Sequence, residues 1–201
     1  MVSLGLEHVA VVGVSVFFST VIGIGLGIAT YRSARAREIA LGVTGVFLTV
    51  PSFALFILLI SPLGLGAKPV VVALTLYGLL PILRNTITGL RGVDPAVVES
   101  SLGMGMSRRQ RLVRIELPLA WPVIMAGIRV TTLILVGIAA IGAIVLGPGY
   151  GDLIFTGLSR VGTPVAVNLV LAGILGVVVV AILFDLALTV LRNLTTSRGI
   201  R

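Results

Sequence analysis

Long apolar stretches recur along this chain, separated by short segments rich in arginine. A helix needs about 20 apolar residues to cross the hydrocarbon core of a bilayer. Residues 9–30, 39–60, 119–146 and 165–191 each reach that length. Residues 69–83 are short alone and qualify only if the helix runs past Arg84 to about Leu90, with the guanidinium snorkelling. Composition agrees, with 57% of the 201 residues hydrophobic and 11% charged, against about 25% charged in a soluble domain. The pattern predicts an all-α, polytopic helix bundle in the lipid bilayer, one domain over residues 1–201 with five transmembrane helices. Pro51 falls inside the second run, and residues 151–160 are too short to span, so they are expected at the surface or as a re-entrant turn.

The arginines set an orientation. Arg32, Arg35 and Arg37 lie between the first two runs, Arg91, Arg108, Arg109, Arg111 and Arg114 between the third and fourth, and Arg192, Arg198 and Arg201 after the fifth. The intervening loops hold only Lys68 and Arg160. With five spans, every arginine-rich segment falls on one side, which the positive-inside rule makes cytoplasmic. The N-terminus is then outside and the C-terminus in the cytoplasm of a multi-pass protein of the cell membrane. The net charge of +8 reflects this bias. The basic residues are not interleaved with aromatic ones, so no nucleic-acid partner is expected. There is no cysteine and a single histidine, His8, read as a residue flanking the first span, so no metal site is expected. The first run lacks a basic flank before it and does not read as a cleaved signal peptide. The 25 glycines, Gly23, Gly25, Gly27, Gly173 and Gly176 among them, suit close approach of membrane helices.

The segment 94–118 is different in kind: a basic, amphipathic island between apolar runs. Asp94-Pro95 starts a helix well, since aspartate caps free amides and proline suits the first turn. Val97, Val98, Leu102 and Met106 give it one apolar side. Gly103 and Gly105 mark a turn. A second short helix, Arg108 to Glu116, is expected before Pro118, which opens the next span. Two short helices would thus lie on the cytoplasmic face, with side chains free to fill a groove on a soluble protein.

The spacing within the island is Glu99-Ser100-Ser101, three residues, Gly105, nine residues, Ile115, one residue, Leu117-Pro118. It resembles the EAA loop of binding-protein-dependent ABC importer permeases, with serines in place of its two alanines. Val50-Pro51-Ser52-Phe53-Ala54-Leu55, Leu79-Leu80-Pro81-Ile82-Leu83-Arg84-Asn85-Thr86, Gly103-Met104-Gly105-Met106, Pro122-Val123-Ile124-Met125-Ala126-Gly127-Ile128-Arg129 and Gly147-Pro148-Gly149-Tyr150-Gly151-Asp152 resemble the osmoprotectant branch, which imports glycine betaine, choline, carnitine or related quaternary ammonium compounds. The likeness covers about residues 9–192. It implies a type I importer half: a second permease subunit, identical or paralogous, two ATPase subunits docked on coupling helices, and an extracellular solute-binding protein. By the same resemblance, Glu99, Ser100, Ser101, Leu102, Gly103, Met104 and Gly105 sit in the ATPase groove, and Ile115, Leu117 and Pro118 tie that loop to the fourth span.

No phosphate-binding loop is present, since the only lysine, Lys68, precedes Pro69 in an outer loop. ATP and magnesium are therefore expected on the partner ATPase, with no cofactor in this chain and no enzymatic activity of its own. Gly147–Gly151 reads as a turn. Arg84, Asn85, Arg129 and Asp185 are candidate pathway or gate residues, because charge inside a membrane is costly. For Asp185 both a structural ion pair and a weak site for a cationic solute stay open, and Arg129 could pair with Asp185 or Glu116. Trp121, Tyr31, Tyr77 and Tyr150 form no evident aromatic cage, so selectivity is expected in the binding protein. Two rivals remain: a permease for methionine or another amino acid, and a membrane enzyme. The latter would need paired acids, a histidine cluster or a serine with a base, and the sequence offers none.

Overall fold

A computed structural model describes residues 1–196. Arg198 and Arg201, counted above among the basic residues after the fifth run, lie outside the described residues. The helices are α1 (Val2–Thr30), α2 (Ala34–Thr49), α3 (Ser52–Leu63), α4 (Ala67–Arg91), α5 (Pro95–Gly103), α6 (Arg108–Arg111), α7 (Leu117–Ile141), α8 (Gly151–Ser159) and α9 (Pro164–Thr195). A π-helical turn, Leu112–Glu116, joins α6 to α7, and a 3-10 turn, Gly142–Val145, ends α7. Among the described residues, α1, α4, the continuous helix Arg108–Val145 and α9 are each long and apolar enough to cross a membrane. The pair α2 and α3 meets the same test together as a fifth span, bent by 98°.

Helix α4 is the centre, packed on α1 and α7, with α9 against α7 and α1 and α8 against α9. Small residues set the register. Positions 78, 82 and 86 of α4 meet Ser19, Gly23 and Gly27 of α1 in rising order, so these two helices run parallel. Gly89 meets Ala120 and Gly127 meets Asn85, so α4 and α7 run antiparallel. A methyl group on Gly78 would sit 2.3 Å from the Ser19 hydroxyl, which shows how close α1 and α4 approach. Two apolar clusters stack along this bundle. One gathers Phe56, Val70, Leu74, Leu135 and Val145, and the other Ile82, Leu83, Ile124, Met125 and Ile128.

Three expectations need correction. The second run is not one helix, because proline disfavours helical backbone at the residue before it. Val50 is extended (φ −73°, ψ 126°) and the chain turns there. The carbonyl freed by the break accepts a 2.7 Å hydrogen bond from the Tyr77 hydroxyl, as backbone at membrane depth requires. Nor is 108–116 a separate helix, since it runs straight into α7. Proline removes a helical donor and crowds the preceding turn, and here the π turn just before Pro118 takes up the mismatch, with the Leu117 amide donating to Leu112. Finally, His8 is not a flanking residue. It is fully buried in α1, its Nε2 lies 3.1 Å from the Val136 carbonyl of α7, and Gly149 and Tyr150 cover it.

Candidate functional site

Helix α5 is short, yet both ends are closed. Asp94 accepts from the Ala96 amide at 2.8 Å, and Pro95 occupies the first turn. At the other end the Gly105 amide donates to Leu102 at 2.9 Å and the Met106 amide to Ser101 at 3.1 Å. This paired 6→1 and 5→2 pattern is the Schellman motif, which needs a left-handed residue at its turn. Gly105 supplies it, at φ +75°. The motif explains why glycine stands at this offset after Glu99.

None of the substantial helix–helix interfaces includes α5. Glu99 and Ser100 are exposed, as are Gly103 and Gly105. Val97, Leu102 and Met104 are exposed by 38%, 53% and 66%, so among the described residues the helix carries an apolar face left open to a partner. Ser101 is the exception: it is buried, its hydroxyl donating to Val98 at 2.6 Å. After the turn, Ser107 and Gln110 form a reciprocal capping box that starts α6. Ile115 and Leu117 are half-buried, and Pro118 is exposed on the helix that carries them into the bundle.

Glu116 anchors this helix to the α1–α2 connection. It is 3% exposed. Its carboxylate accepts from the Tyr31 hydroxyl at 2.5 Å, Arg111 Nε at 2.7 Å and Arg32 Nη2 at 3.2 Å. Arg32 Nε also donates to the Tyr31 oxygen at 2.6 Å, and its guanidinium lies 5.0 Å from the Tyr31 ring centre. Burial, together with the adjoining carboxylate, pushes the Tyr31 hydroxyl above its ordinary pKa, which keeps it a donor. Sequence reasoning missed this cluster. The available signal was Glu116 itself, the one acid in a run of four arginines.

The candidate pathway residues divide. Arg129 of α7 and Asp185 of α9 form a forked pair, Nε to Oδ1 at 2.5 Å and Nη2 to Oδ2 at 2.7 Å. Arg84 is exposed and pairs with no described residue. Asn85 donates to the Pro81 carbonyl at 2.8 Å and packs on Gly127, so it serves the α4–α7 contact. These two are not brought together with Arg129 and Asp185.

A family described as the inner membrane component of binding-protein-dependent transport systems matches residues 19–196. The chain belongs to that family. The permease is 36% identical over 195 residues to the choline transport system permease protein OpuBB of Bacillus subtilis, covering 97% of this chain and 88% of that protein. It is 42% identical over 183 residues to the carnitine transport permease protein OpuCD of Listeria monocytogenes, covering 90% and 80%. It is 38% identical over 207 residues to the osmoprotectant import permease protein OsmW of Salmonella typhimurium, covering 100% and 94%. Among solved structures, an inward-facing MetNI methionine ABC transporter matches with a TM-score of 0.83 at 22% identity, over 98% of this chain and 96% of that one. That likeness shows the fold, an ABC importer permease of helices alone. The permease is thus a multi-pass membrane component of a transport system that depends on a binding protein.

Proposed function

We propose that this chain is the permease subunit of an ABC importer for quaternary ammonium osmoprotectants such as glycine betaine, choline or carnitine. The names and the 36–42% identities of OpuBB, OsmW and OpuCD support the solute class. A methionine permease has only a likeness of fold behind it. The observation that carries the mechanism is α5: capped at both ends, in none of the substantial helix–helix interfaces of the described residues, and exposing Glu99, Leu102 and Met104.

An exposed apolar helix face of this kind is built for a groove on a partner. An ATPase gripping α5 would hold ATP and magnesium itself, and this chain would supply no catalytic group. Closure of two such ATPases on ATP moves two α5 helices together. Packed bundles respond as rigid bodies between discrete arrangements. The Glu116 cluster carries that displacement from the helix behind α5 to the α1–α2 connection. A second permease, identical or paralogous, completes the pathway, and an extracellular binding protein delivers the solute. The arginine-rich connections support an orientation with the N-terminus outside and α5 and the C-terminus in the cytoplasm.

The test is uptake of glycine betaine by the complete transporter. Glu99→Lys reverses charge on the docking face, and Gly105→Pro cannot adopt the φ of +75° that closes α5. Loss of one interface anchor costs about 2 kcal/mol, roughly thirtyfold in affinity. Each variant should reach the membrane in normal amount, lose copurifying ATPase and transport at about a thirtieth of the normal rate or less, on that same scale. Normal uptake by both variants would reject α5 as the coupling element.

A further inference from the structure

The Arg129–Asp185 pair sits within the membrane-spanning lengths of α7 and α9, where charges are costly. Arg129 lies about 15 Å from the start of its apolar run at Leu119, and Asp185 about 9 Å before the end of its run at Leu191, at 1.5 Å per residue. Both positions therefore fall inside a hydrocarbon core about 30 Å thick. Yet the two side chains are 40% and 30% exposed. Charges at that depth face water or protein, not lipid. Beside them, α7 and α9 leave a cleft of about 300 Å³ lined by Met125, Arg129, Leu133, Leu188, Thr189 and Arg192. Leu188, Thr189 and Arg192 follow Asp185 along one face of α9, so cleft and pair share one side of the bundle.

We propose that this pair is a two-ended exchange site for zwitterionic quaternary ammonium solutes. The inference rests on the osmoprotectant reading above and adds to it the residues that meet the solute and the charge type they favour. A guanidinium fork and a carboxylate match by two parallel hydrogen bonds, and the carboxylate of a betaine offers Arg129 the same two acceptor oxygens as Asp185. The other end of the solute is a fixed cation with no N–H to donate. Asp185, once released from Arg129, meets it by charge alone. One ion pair becomes two, and no charge is left bare in a low-dielectric passage, where an unpaired ion is costly. With the solute gone, the pair closes on itself. No described residue lining the cleft is aromatic, so the cation is not caged and can leave. A solute that is only a cation breaks the pair and strands Arg129.

The complete transporter, reconstituted in liposomes with its ATPase and loaded binding protein, gives the test. Uptake of glycine betaine and of choline is measured for the native chain and for Arg129→Gln, each normalised to ATP hydrolysed. The ratio of glycine betaine to choline uptake should fall about tenfold in the variant, the scale of one charge-assisted bidentate contact. Arg129→Lys, which keeps the charge and loses the fork, should fall between. A second measurement does not depend on that variant folding. The chain has no cysteine, so Thr189→Cys gives a single thiol in the cleft. A water-soluble cationic thiosulfonate should modify it, and glycine betaine at concentrations that saturate transport should slow the reaction.

A parallel fall in both uptakes overturns the proposal and makes the pair a brace. So does a thiol that glycine betaine leaves unprotected, or one that never reacts because a second copy of the chain covers it. If the native complex carries glycine betaine while the thiol is unprotected, the exchange site alone is lost. If the native complex carries none of glycine betaine, choline and carnitine, the osmoprotectant reading falls and the exchange site falls with it.

Discussion

Glu116→Ala is expected to lower the melting temperature of the detergent-extracted protein sharply. The side chain is 3% exposed and accepts from three residues on two connections, Tyr31 and Arg32 on one and Arg111 on the other. Its removal leaves the Arg111 side chain, 9% exposed, without an anion. Breaking a buried pair by removing one partner costs about 3–5 kcal/mol, because the remaining charge is buried uncompensated. That is a large share of a stability of about 5–15 kcal/mol. A fall in apparent Tm of about 10 °C follows from the usual scaling for a chain of this size. Glu116→Gln keeps the shape and one acceptor oxygen, and should lie between Ala and the native protein. Arg111→Met added to Glu116→Ala should recover part of the loss, since the stranded charge is then gone. Thermal unfolding followed by size-exclusion chromatography checks all three. An Ala variant as stable as the native chain would mean that the carboxylate holds neither connection.

The two connections joined by Glu116 also show what a sequence discloses and what it hides. Hydropathy depends on local composition, so the apolar runs mark the helices: residues 165–191 fall within α9 (Pro164–Thr195), and residues 69–90 within α4 (Ala67–Arg91). The cap of α5 was legible for the same reason, since Asp94, Pro95 and Gly105 act through their own backbone. Contacts between distant residues were not. Glu116 meets Tyr31 across 85 positions and His8 meets Val136 across 128, and no local pattern reports them. Pro51 announces a break, but the 98° angle is set by α3 lying against α4 and the 3-10 turn. Pro118 suggested a helix start by the usual preference, and the π turn at 112–116 let the helix continue through it. Asp185 and Arg129 were each legible as costly charges. Their pairing needed the antiparallel register of α7 and α9, which Trp121 and Thr195 fix near the other end with a 2.7 Å hydrogen bond.

Gly151→Ala should destabilise the protein far more than the same change at Gly25 or Gly137. A methyl group on Gly151 would lie 2.0 Å from the Ala140 carbonyl oxygen and 2.8 Å from its carbon. Both are backbone atoms near the end of α7 and have no rotamer to escape into. The clash at Gly5 is different, since its 2.7 Å neighbour is the hydroxyl tip of Tyr150, which can swing away. Relief at Gly151 must come from moving α8, and α8 is itself seated on α9. Methyl groups on Gly157, Gly173 and Gly176 would lie 2.6–2.7 Å from Val170, Ile154 and Tyr150, so that interface has no slack to give. Overpacking without room to relax costs up to about 3 kcal/mol, and Gly151→Val should exceed Gly151→Ala. At Gly25 and Gly137 nothing lies within 4 Å, and alanine there should gain up to about 1 kcal/mol from helix propensity. Melting of the three alanine variants in one detergent separates the cases. Equal melting temperatures would show that α8 does not approach the α7 backbone so closely, and that the turn at 146–150 rather than this contact holds α8 in place.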